Sequence, residues 1–342
     1  MADIRRTPLQ IPAAWTAAEM AKNTDWVHRV SSAEIAELDA AISAVKARSL
    51  GIPDIRREDF ALPTLAPKIA RMQKELEEGS GAMLIRGLPV ARWGQEDSLL
   101  AYWGIGVHLG EITGQNGKGH RLGFVRATGR DWDKDHTVRG YQTTSWLPFH
   151  CDKGDIVGLL CLHGAKSGGT SCFASSIAIH NVLLERRPDL VEALYSDLYV
   201  DLRGEEPPGM KPYYLQPMYG YYKGRLYGRM GRKYVESGQR FPEVPRLTER
   251  QAEAMEVVEA LAASDEFRLD MEFEQGDIQW LNNHTVMHSR NEYEDWPEPE
   301  RRRHLVRMLV FSSAYRDVPD YVQHINDVTR WWRDHPKEAV AV

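Results

Sequence analysis

The run Ile156-Val157-Gly158-Leu159-Leu160-Cys161-Leu162 is apolar almost without a break. It is far shorter than the ~20 residues that a membrane span needs. It also lacks the polar alternation of a strand with one face in water, and it fits a strand covered on both faces. Short β-like runs broken by glycine extend over 145–175, and two further strands are expected at 267–281 and 305–312, flanking a long turn around Trp296-Pro297-Glu298-Pro299. Nothing alternates strand with helix as a doubly wound sheet requires. The pattern predicts an α+β fold, a strand-rich core with helices outside it.

The helices carry their own punctuation. Ser31 followed by Glu34 fits a capping box, and Ile35, Leu38, Ile42 and Val45 then recur at helical spacing. A second helix is expected over 66–78, ended by Gly79 and Gly81. The short apolar run 82–85, closed by Arg86-Gly87, reads as a buried strand. Two short helices divided by Pro188 fit 177–195, and Thr248 with Gln251 opens another that runs to about Ala263. Residues 213–234 carry Tyr, Gly and Arg at strand-and-turn spacing. Trp331-Trp332 either pack a final helix onto the core or cover a subunit interface in a homo-oligomer.

No repeat, linker or charge block divides the 342 residues. A net charge of −6 without a basic stripe argues against a general nucleic-acid binder. The first residues, MADIRRTPLQ, hold no apolar signal core. Cys151, Cys161 and Cys172 are odd in number and lack paired spacing, which points to reduced thiols and a cytoplasmic protein, with no membrane or nucleic-acid partner.

The sharpest local signal is His150-Cys151-Asp152, the only His-x-Asp or His-x-Glu among twelve histidines. Alternate residues of a strand share a face, so this spacing aims an imidazole and a carboxylate at one point, while Cys151 faces away as a packed thiol. A third donor is available from His284 or His288. Two histidines and one carboxylate form the facial triad of non-haem Fe(II) oxygenases, which leaves positions open for a co-substrate and O2. Arg303 and Arg307 follow within an apolar run and share a face if it is a strand. An inward guanidinium is costly unless a carboxylate meets it, and its planar fork suits a dicarboxylate such as 2-oxoglutarate. Arg301 and Arg302 read as a solvated turn cluster.

Four blocks, Gly81 through Gly87, Phe149-His150-Cys151-Asp152, Gly168-Gly169-Thr170-Ser171 and Asn283 through Arg307, stand in the order and spacing of the taurine dioxygenase (TauD/TfdA) family, which the chain resembles over about 80–312. The resemblance implies a double-stranded β-helix, or jelly-roll, core with flanking helices. It implies one oxygenase domain over 1–342, with 1–80 a mainly helical part packed on that core. Implied iron ligands are His150, Asp152 and His288, with His284 left to packing or support. Arg303 matches the arginine that pairs with the distal carboxylate of 2-oxoglutarate. Ser171 falls where a hydroxyl joins the same carboxylate, and Arg307 falls where some relatives meet an anionic substrate group.

The activity so implied is an Fe(II)- and 2-oxoglutarate-dependent dioxygenase that uses O2, releases succinate and CO2, and oxidises, most simply hydroxylates, a small molecule; Arg307 and the residues expected at the pocket mouth point to an anionic or amino-acid-like one. Asp152 argues against halogenation, since related halogenases put a small residue there. The pocket mouth is expected from 114–141, with Gln115, Asn116, Arg126, Arg130 and Arg139, and from 213–234, with Tyr213, Tyr214, Tyr219, Tyr221, Tyr222 and Tyr227. Two alternatives use the same residues: a zinc hydrolase with a two-His-one-Asp site, and a non-catalytic jelly-roll binding protein.

Overall fold

A computed structural model describes residues 3–130 and 137–337. Its centre is two sheets. The larger has seven strands, in the order Val27–Arg29, Ala82–Arg86, Ile278–Asn282, Ile156–His163, His304–Phe311 and Glu111–Ile112, with Leu122–Val125 also paired to His304–Phe311. The smaller has four, in the order Leu269–Met271, Ser171–Ser175, Val286–Arg290 and Leu147–His150. All pairings in them are antiparallel except that of Val27–Arg29 with Ala82–Arg86. This is the expected α+β architecture with a jelly-roll core.

The apolar run at 156–162 becomes the middle of the larger sheet and is buried along most of its length. Gly158 stands beside Trp280 on the next strand, where a Cβ would lie 2.3 Å from the indole and 2.5 Å from the Tyr102 hydroxyl. The glycine is what lets the indole and the phenol pack on a central strand.

Helices Ser32–Ala47, Ala66–Glu78 and Val90–Leu109 cover the larger sheet, sharing one core through Leu38, Ile42, Ile69, Leu76, Leu99 and Tyr102. Helices Ser176–Arg186, Glu249–Ala263 and Asp320–Asp334 join a second core around Ile179, Leu183, Val258 and Trp332. The capping boxes at Ser31 and Thr248 are both formed, and Ala66–Glu78 ends at Gly79 as read from the sequence. Trp332 is fully buried and donates to the Glu205 carbonyl, so it packs the last helix onto the body of the chain.

Two expectations need correction. The stretch 267–281 is not one strand: Leu269–Met271 and Ile278–Asn282 lie in different sheets, separated by a turn in which Gly276 has φ +89°. Between that stretch and the Trp296 turn lies a further strand, Val286–Arg290, hidden because all five of its residues are buried and no alternation marks it. The segment 114–141, expected at the pocket mouth, contains the strand Leu122–Val125 and a short 3-10 turn, Gly140–Gln142. Its residues 131–136 lie outside the described residues.

Glu34 ties the first long helix to its neighbours. Its carboxylate accepts from the Ser31 N–H at 2.7 Å and from Lys68 Nζ at 2.7 Å, and meets His28 Nε2 at 3.0 Å. Burial opposes its ionisation, but the bonds from Lys68 and Ser31 prevail and hold the carboxyl at about 2. A carboxyl lowered on folding stabilises the native state above its unfolded value and loses that contribution as the pH falls. The stability gap between the wild type and Glu34→Gln should therefore be full above pH 4.5 and close on acidification toward pH 2, as urea unfolding across that window would measure.

Candidate metal centre

The smaller sheet sets two of the three candidate donors. Leu147–His150 pairs with Val286–Arg290 so that His150 stands directly opposite His288, with ring centroids 4.3 Å apart. The strand ends at His150, so Asp152 reaches the same point from the following loop rather than by strand alternation. Its Oδ2 lies 3.7 Å from His288 Nε2. One donor atom from each of His150, Asp152 and His288 falls within 4.8 Å of the others. Two imidazoles and one carboxylate gathered this closely fit an octahedral metal ion bound on one face.

The protonation states suit ligation. His150 Nδ1 lies 2.8 Å from the Pro148 carbonyl, which only accepts, so the proton sits on Nδ1 and Nε2 keeps its lone pair. Burial pushes His150 below its ordinary value and, with His150 alongside, pushes His288 down to about 3. Burial works against an ionised Asp152, yet Arg307 and the two imidazoles hold it at about 2. Arg307 Nη1 donates to Asp152 Oδ1 at 2.7 Å, which leaves Oδ2 turned toward His288. Arg307 is itself braced: its Nε donates to Gln115 Oε1 at 2.9 Å, and Gln115 Nε2 donates to the Arg307 carbonyl at 2.7 Å.

Arg303 lines the same cavity as the three donors. It is 4% exposed, its Nη1 has no hydrogen-bond partner, and no carboxylate pairs with it among the described residues. Gly169 lies beside it at φ +77°, where a Cβ would come within 3.3 Å of Arg303 Nε. A buried, unpaired guanidinium facing a cavity is the complement of a carboxylate that the protein does not itself supply. Ser171 lines the cavity too, with its hydroxyl donating to Gln279 Oε1 at 3.0 Å.

His284 is elsewhere, bonded to Asp155 Oδ1 at 2.9 Å and packed on Tyr315. Cys151 is a packed thiol, pushed up to about 11 by burial. Of the residues expected at the mouth, Gln115 supports Arg307 from behind and Arg139 pairs with Glu205. Tyr213, Tyr214, Tyr219 and Tyr222 line a separate groove. From those two segments the cavity takes mainly the far ends, Gly140 and Tyr141 in one and Gly231 to Tyr234 in the other, with Val125. Sequence reasoning missed Arg290, whose guanidinium donates to the Thr143 carbonyl at 3.0 Å and to that of Ser145. Its place two residues after His288 was the available signal.

Residues 47–309 match the family model described as taurine catabolism dioxygenase TauD, TfdA family. The chain belongs to that family. FR-33289 synthase of Streptomyces rubellomurinus is 32% identical over 327 residues, covering 93% of this chain and 95% of the relative. The taurine hydroxylase-like protein SAT17 of Stachybotrys chartarum is 31% identical over 321 residues, covering 90% and 81%. Among solved structures, asparagine oxygenase in complex with Fe(II), 2S,3S-3-hydroxyasparagine and succinate aligns with a TM-score of 0.64 at 16% identity, covering 84% of this chain and 93% of that one. The oxygenase OrfP in complex with Fe and alpha-ketoglutaric acid aligns with a TM-score of 0.61 at 16% identity, covering 84% and 94%. The chain is thus an oxidoreductase, an Fe(II)- and 2-oxoglutarate-dependent dioxygenase, and neither the zinc hydrolase nor the non-catalytic binding protein is favoured. No helix among the described residues is long and apolar enough to cross a membrane.

In the metal-free protein the His150 imidazole should titrate below its ordinary value, and His288 should stay neutral down to about 3. A long-range 1H–15N NMR titration reads this directly, and a ligand histidine titrating at its ordinary value would contradict the geometry described.

Proposed function

We propose that His150, Asp152 and His288 hold Fe(II), that Arg303 binds the distal carboxylate of 2-oxoglutarate with the Ser171 hydroxyl alongside, and that the substrate is a small anionic or amino-acid-like molecule that is hydroxylated. The observation that carries this reading is Arg303: buried, unpaired, and facing the cavity into which the three donors converge. Bound iron supplies activation of O2, coupled to conversion of 2-oxoglutarate to succinate and CO2.

The chain's own groups divide the remaining work. Arg307 holds Asp152 by one oxygen and so favours one-oxygen ligation, which keeps further positions open. Leu147, Phe149, Leu159, Phe273 and Leu305 give the cavity an apolar wall that keeps water from the reacting carbon. Arg203, Arg290, Arg303 and Arg307 line it, and Asp152 is the only carboxylate among the described lining residues. This charge balance supports an anionic substrate. The hydroxylated amino acids held by the structural neighbours support hydroxylation as the outcome. We assign the whole chain to one oxygenase domain, in which the helices before residue 80 share a core with the larger sheet. Three free cysteines support a reducing compartment such as the cytoplasm.

Anaerobic addition of Fe(II) and 2-oxoglutarate should give a weak visible charge-transfer band in the wild type. Loss of a charge-assisted bond worth about 1.5–3 kcal/mol should weaken 2-oxoglutarate binding in Arg303→Ala by roughly 10- to 100-fold. An unchanged titration in that variant, or zinc as the native metal with no band, would sink the assignment. Arg307→Leu should instead weaken Fe(II) itself by about 10- to 100-fold, as calorimetric titration of the metal would show.

A further inference from the structure

Asp152 belongs to no strand, so the backbone polar groups of the loop around it need partners outside a ladder. Two buried side chains supply them. Asn283 accepts from the Asp152 N–H at 3.1 Å through Oδ1, and donates through Nδ2 to the carbonyls of Lys153 at 3.2 Å and Gly154 at 3.4 Å. The amide orientation follows from this pattern, since one partner only donates and two only accept. Arg229 donates to the Asp152 carbonyl at 2.9 Å and to the Gly154 carbonyl at 3.3 Å. We infer that Asn283 and Arg229 are positioning residues for the metal centre, fixing where the Asp152 carboxylate stands relative to His288.

Three observations carry the inference. Asn283 lies in the turn that leads into the His288 strand, and its own N–H donates to the Asp155 carbonyl at 2.8 Å. One residue thus clasps the loop of one donor while opening the strand of another. Arg229 is 5% exposed and has no carboxylate partner among the described residues; apart from loop carbonyls its guanidinium is unsatisfied, with Nε lacking any acceptor. Burying a cation to hold carbonyls is costly, and apolar residues of similar volume would fill the same space without that cost. Gly154, at φ +77°, gives the loop the left-handed bend that presents the Lys153 and Gly154 carbonyls to these two side chains.

The inference rests on the ligand assignment proposed above, and Mn(II) binding followed by electron paramagnetic resonance tests both. His150→Ala and Asp152→Ala should abolish tight Mn(II) binding; if they bind as the wild type does, the ligand assignment fails and takes this inference with it. With the ligands intact, Asn283→Ala and Arg229→Gln should each raise the Mn(II) dissociation constant about 10- to 100-fold, while Arg229→Lys recovers part of the loss. Metal-free melting temperatures, read alongside by circular dichroism, separate positioning from general stability. Should Asn283→Ala not fold, the two Arg229 variants decide. Unchanged Mn(II) affinity in variants that melt lower would overturn the inference and leave both residues as fold supports only.

Discussion

A carboxylate removed from water stays ionised only if cations and donors replace the lost hydration, and the centre of this protein is arranged around that requirement at Asp152. The Arg307 guanidinium that meets it comes from the strand His304–Phe311 of the larger sheet, whereas the loop bearing Asp152 follows a strand of the smaller one. The ion pair therefore spans the cavity and ties the two sheets at the point where the candidate donors gather. Removing either partner would strand a charge, so the contact is coupled to everything within its reach. Gln115 extends the same logic outward by bracing Arg307, while Asn283 and Arg229 hold the backbone of Asp152 itself.

Much of this could be read from residues alone, and the reasons are local. His150-Cys151-Asp152 is a compact motif, and a guanidinium inside an apolar run asks for an anion wherever it occurs. Helix ends with a side-chain signature were legible to the residue, as at Ser31 and Thr248, because a cap is a contact between neighbours three positions apart. Val286–Arg290 was not legible, because a fully buried strand shows no periodicity, and the turn at Gly276 merged two strands of different sheets into one apparent run. The supports of Asp152 escaped for another reason. Asn283 and Arg229 meet its loop across 131 and 77 positions of chain, and nothing within either segment announces the meeting. The tyrosines of 213–222 misled because a tyrosine cluster on short strands is as consistent with a groove elsewhere as with the cavity.

Arg290 and Arg303 show how charge is distributed at the other end of the cavity. Both guanidiniums lie over the Tyr293 ring, at 4.7 and 5.1 Å from its centroid. Arg290 spends its hydrogen bonds on the carbonyls of Thr143, Ser145 and Asn291, and Arg303 keeps one amino group free. Two buried cations of one sign on a shared ring repel each other, and burial lowers the proton affinity of both. An anion placed against them would relieve that repulsion, which is the part the proposed function gives to the distal carboxylate of 2-oxoglutarate.

The pairing of His150 with His288 across two antiparallel strands has a consequence for how the chain matures. Side chains alternate between the faces of a sheet, so a slip of one residue in this pairing would turn one imidazole away from the other. Under the proposed ligation, strand register and the capacity to take up a metal become one property rather than two. A molecule that closes its smaller sheet out of step would then remain unmetallated, and metal uptake would draw the population toward the register that can bind.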